Sequence, residues 1–365
     1  MKRLFPPCTN LAAFLFAGLC LVTSAVWAQE LSKQNPPAAA ADKALQVPDL
    51  SSADLAPKVV EDFSTPALTK GTVLGSIEGL EIENDEDPMF TREVVRVMWR
   101  GGDPIDLYVL KPVGVKKPPV ILYLFDYPTE TDQYRKAEFC RRLTKEGFAA
   151  VGFVPALTGQ RYHDRPMKEW FVSELRESLA SSAHDVQMVL NYLTARADVD
   201  MSRVGMFGDG SGASIAILAA AVDPRIKTLD LLDPWGDWPD WIKESKRIPE
   251  KERPDYLKPE WLAGVAPLDP VKWLPELKAR KVRIQFVKDI AVTPADVQAK
   301  IGAAVPQNAQ ILRYENTAAF NAAVAGGAGF DWIKQHVGGS TPKEYHAARQ
   351  SRPKNSTAES KNSQQ

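Results

Sequence analysis

One stretch, RVGMFGDGSGASIAILAAAV from Arg203, limits the fold more than any other part of the chain. An apolar strand runs into a glycine-rich turn, and a helix of small residues opens directly behind it. With Gly208, Gly210, Gly212 and Ala213 at the turn, strand and helix can approach with almost no side chain between them. That approach belongs to a sheet covered by helices.

The rest of the chain carries the same rhythm. Strand-like runs start at Arg92 (REVVRVMWR), Ile105, Pro119, Ala149, Arg203, Ile226, Val282 and Gln310. Helical patterns lie between most of them, over 132–146, 175–193, 211–222, 295–304 and 330–336. The first two runs alternate in polarity and are joined by Gly101–Pro104, which predicts an antiparallel hairpin. The later runs are continuously apolar, as parallel strands buried on both faces must be. The expected fold class is α/β: a mostly parallel eight-stranded sheet with helices on both faces. The segment 235–281 interrupts the rhythm and holds five of the nine tryptophans. It reads either as a lid over a ligand pocket or as a short helical cap packed on the sheet edge.

The ends differ in composition from the middle. Lys2 and Arg3 precede an apolar run that closes on Val26-Trp27-Ala28, so residues 1–28 read as an export signal cleaved near Ala28. Membrane contact is expected only through that signal, with the protein periplasmic or extracellular. Cleavage would remove Cys8 and Cys20, leaving Cys140 in a helical pattern and no internal disulfide. Residues 29–70 are rich in Pro, Ala and Ser and read as a linker. Residues 338–365 read as a polar tail, and 71–337 as one domain. A formal net charge of -1 offers no basic surface for nucleic acid. The absence of H-x-x-x-H, H-E and C-x-x-C spacings calls for no metal, and no cofactor is expected.

Two chemistries use a turn like the one at Gly208. A dinucleotide site would use GDGSGA as G-x-G-x-x-A, with Asp230 or Asp233 on a ribose. Against it, four strands precede this one and too few βα units follow. The other is the nucleophile elbow G-x-S-x-G, which needs small residues two before, two after and three after the nucleophile. Centring the frame on Gly210 puts Gly208, Gly212 and Ala213 in those slots. Centring it on Ser211 or Asp209 puts Asp209 or Phe207 two before.

The elbow, the strand pattern and the segments LDPWGDW and PLDPVKWLPELKARKVRIQFV resemble the α/β-hydrolase superfamily. Within it the chain is similar to dienelactone-hydrolase and prolyl-peptidase-like esterases, over about Arg92 to His336 and most strongly over Pro119 to Leu232. That resemblance implies a Ser, Asp and His triad in chain order and an oxyanion hole of backbone N–H groups. The nucleophile slot here is Gly210. Matching Pro294 puts Ile290 at the acid position, with Asp289 beside it. The histidine position falls on Ala318 or Ala319, and the oxyanion turn on Phe125-Asp126-Tyr127. The four histidines are His163 in the loop after the fourth run, His184 and His336 in helical patterns, and His346 in the tail. None falls in the turn after the last strand.

The expected function is therefore that of an exported pseudo-hydrolase, a binding module with its pocket on Asp126, Tyr127, Asp209, Gly210 and Ser211. A small-molecule or ester-like ligand is its expected partner. The alternative is an atypical carboxylic-ester hydrolase in which Ser211 attacks, His163 assists, and Asp164 or Asp289 orients.

Overall fold

The computed structural model describes residues 78–100, 103–127, 131–156, 161, 172–289, 292–325 and 329–338. The first 77 residues, the polar tail, His163, Asp164 and Ile290 lie outside them.

In these residues nine strands form one sheet. They are β1 Gly79–Glu86, β2 Phe90–Val97, β3 Ile105–Pro112, β4 Pro119–Leu124, β5 Ala149–Gly152, β6 Asp200–Asp209, β7 Ile226–Leu232, β8 Lys281–Val287 and β9 Gln310–Tyr314. Their order across the sheet is β1-β2-β3-β5-β4-β6-β7-β8-β9. Strands β1 to β3 pair antiparallel, β3 meets β5 antiparallel, and β4 to β9 are parallel. The fold class read from sequence is the one observed, with one edge strand more. Strand β1 reads GLEIENDE and lies almost wholly exposed. It therefore carries none of the apolar signal that marks the other strands.

The helices are α1 Ala137–Thr144, α2 Leu175–Ala195, α3 Ser211–Val222, α4 Trp238–Glu244, α5 Arg253–Tyr256, α6 Pro259–Val265, α7 Pro270–Trp273, α8 Ala295–Ala304, α9 Thr317–Ala325 and α10 Asp331–Gly338. Successive strand residues face opposite sides, so the sheet builds two cores. Val120, Leu122 and Leu124 of β4 pack with residues of α2, α3 and α8. Ile121 and Tyr123 face the other side, among α1 and α10. The smaller core carries a buried polar knot. There Asp230 of β7 accepts from Arg283 Nε at 2.8 Å and Nη2 at 2.5 Å, and from Gln285 Nε2 at 2.9 Å. Asp230 is enclosed by these bonds beneath the sheet and holds no position from which to meet a ribose.

The insert over 235–281 contributes its tryptophans to the larger core. Trp235, Trp238 and Trp241 are buried. Trp235 stacks on Trp241 at 4.5 Å between centroids, and Trp238 meets Trp241 edge-on at 5.9 Å. The Trp241 indole donates to the Val292 carbonyl at 3.0 Å. Asp269 fastens the insert to itself: its carboxylate accepts from the N–H groups of Asp237 (2.9 Å), Val271 (3.1 Å) and Trp238 (3.4 Å). Of the two readings of this segment, these three rings follow the packed cap.

Candidate functional site

The elbow forms where the small residues require it. A Cβ on Gly208 would lie 2.5 Å from Ala213 Cα, and one on Gly212 would lie 2.4 Å from the Leu124 carbonyl oxygen. Neither is tolerable, so β6, β4 and the start of α3 can meet only with glycine at both positions. Between them Gly210 takes φ 55° and ψ -117°, a conformation that is costly for any residue with a Cβ. Its N–H donates to the Leu232 carbonyl at 2.8 Å, and its carbonyl accepts from Ala213 and Ser214 at 3.1 and 3.2 Å. The turn is tied on both sides.

A side chain at Gly210 would have no room. Its Cβ would lie 2.2 Å from Asp126 Oδ1, 2.3 Å from Cγ and 2.9 Å from Cβ. The Asp126 carboxylate thus stands where the side chain of an elbow nucleophile would begin. It comes from the turn that follows β4, and it is held firmly. Oδ1 accepts from the Ser211 N–H at 2.9 Å and from the Ser211 hydroxyl at 3.1 Å, while Oδ2 pairs with Arg247. The same hydroxyl accepts from the Tyr127 N–H at 2.9 Å.

These bonds engage the groups an oxyanion hole would use. In an elbow centred on Gly210, one donor is the N–H of the next residue, Ser211, and the other comes from the turn after β4, where Tyr127 sits. Ser211 N–H points at Asp126, and Tyr127 N–H points at Ser211 Oγ. Ser211 is fully buried, with its hydroxyl both donating and accepting.

Further acids line the same edge. Asp209 ends β6, half-buried, with no hydrogen bond or ion pair among the described residues. Burial, reinforced by the charges of Asp126 and Asp233 and opposed by Arg247, pushes its carboxyl up to about 8. Asp233 follows β7 in a left-handed conformation, φ 42°. Its Oδ1 accepts from the Val287 N–H at 3.1 Å, while Oδ2 is sealed from solvent with no donor among the described residues. Burial pushes it up to about 7. Burial also raises Asp126, against the pull of Arg247 and the Ser211 donors.

The remaining residues singled out in the sequence fall elsewhere. Asp289, exposed beyond β8, accepts from Thr317 N–H at 2.8 Å and Oγ1 at 2.7 Å, and so ties down the start of α9. Ala318 and Ala319 lie in the first turn of that helix, exposed. His184 is buried in α2, its ring 6.3 Å from Trp99. His336 in α10 stacks on Trp332 at 4.2 Å and bonds its carbonyl through Nδ1 at 2.8 Å. Cys140 is buried, with its thiol raised by burial and bonded to the Tyr134 carbonyl. Arg247 is the site residue that sequence reasoning missed. It lies beyond α4 in an insert noted only for its tryptophans, and its pairing with a residue 121 positions away has no local signal.

Residues 105–229 match the model of the dienelactone hydrolase family. No curated protein matches the chain. Among solved structures it is similar to an acetyl xylan esterase from Paenibacillus sp. R4, with a TM-score of 0.55 and 15% identity over 71% of this chain and 88% of that one. It is likewise similar to acetyl xylan esterase 1 from Thermoanaerobacterium sp., with a TM-score of 0.54 and 15% identity over 66% and 82% of the two chains. For a 2,6-dihydroxy-pseudo-oxynicotine hydrolase the TM-score is 0.52 and the identity 17%, over 73% and 70%. The chain has the α/β-hydrolase fold.

Proposed function

We propose that this α/β-hydrolase-fold chain is an exported, non-catalytic binding module whose ligand site lies over Asp126, Tyr127, Asp209, Gly210 and Ser211. The observation that carries the reading is the Asp126 carboxylate. It takes the space of a nucleophile at position 210, and its bonds to Ser211 occupy the hole that would stabilise a tetrahedral intermediate. Ester hydrolysis on this fold needs an attacking group, a proton acceptor near neutral pKa and free N–H donors for the oxyanion. Gly210 supplies no attacking group, and neither donor is free. The elbow geometry survives as a rigid floor, and fold alone does not carry the activity with it.

The test is a panel of 4-nitrophenyl esters, from acetate to octanoate, on the purified protein. The expected result is no turnover above the buffer rate for wild type. Turnover that disappears in Ser211→Ala would overturn the reading and favour the Ser211 and His163 esterase instead.

A further inference from the structure

Strand β1 is an open edge of the sheet. It pairs with β2 on one side and with no described strand on the other, so part of its backbone N–H and C=O groups stand unpaired along eight residues. Its sequence, GLEIENDE, holds four acids and no base. The register divides those acids between the two faces of the sheet. Glu83 and Asp85 lie on one face, where Arg92 and Arg135 pair with Glu83 at 3.4 and 3.0 Å and Arg92 also pairs with Asp85. Glu81 and Glu86 lie on the other, exposed and without an ion pair among the described residues. The apolar content is as uneven. Among the described residues, the large apolar side chains left exposed are Leu80 at 67%, Ile82 at 44% and Met98 at 58%. Two of them belong to β1, and Met98 follows β2, two residues past Arg96, the partner of Leu80.

We infer that this edge takes up a basic, extended segment of another protein, which adds to β1 as a further strand. Backbone pairing supplies the binding, and the alternate side chains supply the choice of partner. Acids and a bulge ordinarily guard an edge strand, and β1 has both, with the bulge between Glu81 and Glu83. That guard is selective. A second β1 laid alongside would set acids against acids, whereas lysine or arginine side chains would meet Glu81 and Glu86 as opposite charges. Leu80, Ile82 and Met98 add an apolar footing that an edge kept only for protection would not carry. The inference goes beyond the reading of the elbow and does not depend on it.

The experiment is fluorescence anisotropy of a short, end-capped, fluorescein-labelled peptide of alternating lysine and valine, titrated with the full chain at low ionic strength. Two further peptides accompany it. One replaces every lysine by glutamate; the other keeps the lysines but carries a central proline, which cannot donate to a ladder. The lysine peptide is expected to bind, the glutamate peptide not to bind, and the central proline to weaken binding about tenfold or more. Glu81→Lys with Glu86→Lys should weaken it by a similar factor, about tenfold, since attraction becomes repulsion at two positions. Leu80→Ser is the second variant, expected to weaken binding through the apolar footing, and circular dichroism confirms that each variant is folded. No binding of the lysine peptide, or binding unchanged by both variants, overturns the inference. Equal binding of the proline peptide also overturns it, because loose charge attraction would then suffice. A dimer in sedimentation velocity that Leu80→Lys dissolves overturns it in favour of a second copy of the chain.

Discussion

Replacing Gly210 by alanine tests whether Asp126 truly occupies the elbow. Two costs are expected. The left-handed backbone, φ 55°, costs a residue with a Cβ about 1–2 kcal/mol. The new methyl also stands 2.2 Å from Asp126 Oδ1, so the carboxylate must leave. Its departure breaks its bonds to Ser211 N–H and Oγ and its pairing with Arg247. Charge-assisted bonds contribute about 1.5–3 kcal/mol each when buried, and the half-exposed arginine pair contributes less. The expected loss for Gly210→Ala is about 3–6 kcal/mol in urea unfolding followed by tryptophan fluorescence and far-ultraviolet dichroism. A double-mutant cycle isolates the collision. The partner must be Asp126→Gly, because even the Asp126 Cβ would lie 2.9 Å from the new methyl. With the clash gone, the double variant should be more stable than the sum of the singles by about 2 kcal/mol or more. Additivity within about 0.5 kcal/mol would refute the reasoning.

Two further outcomes follow from the buried charges. Arg161 bridges Asp103 (2.9 and 2.5 Å) and Asp185 (2.6 Å) and reaches the Val154 carbonyl at 3.1 Å, fully enclosed. Arg161→Ala leaves Arg100 on Asp103 (2.6 Å) and on Asp185 (3.3 Å), with Trp99 donating to Asp185 (2.8 Å), so it should cost about 1.5–3 kcal/mol by the same unfolding assay. A carboxyl raised to about 8 in the fold binds a proton that the unfolded chain has lost above about pH 4. Its contribution to stability is thus complete at low pH and falls away as pH rises towards 8. The difference in stability between wild type and Asp209→Asn should shift over that window, by about 5 kcal/mol at most. A pH-independent difference would show that Asp209 ionises normally.

Where a burial pattern is written locally, the sequence was readable. The apolar runs of β4, β6, β7 and β8 are buried on both faces, and the glycines at 208 and 212 mark a close approach that no other residue allows. Two elements escaped for physical reasons. Strand β1 is polar because it lies on an exposed edge. The turn expected after the last strand, where Ala318 and Ala319 fall, is the start of α9, an apolar helix with no buried residue. At the site, the vacancy at position 210 was visible in the motif frame, but its occupant was not. Asp126 and Ser211 are 85 positions apart, and nothing near either residue announces the bond. The orphaned oxygen of Asp233 is likewise a property of packing, with no trace in the neighbouring residues.

The most direct measurement is labelling by a serine-directed fluorophosphonate, read as intact mass and then by peptide mapping. That reagent reports an activated hydroxyl beside a free oxyanion hole, the two features that the proposed binding module lacks. An unmodified mass after prolonged incubation, with the protein folded, is the expected result. One adduct per chain, mapped to Ser211, would contradict the account.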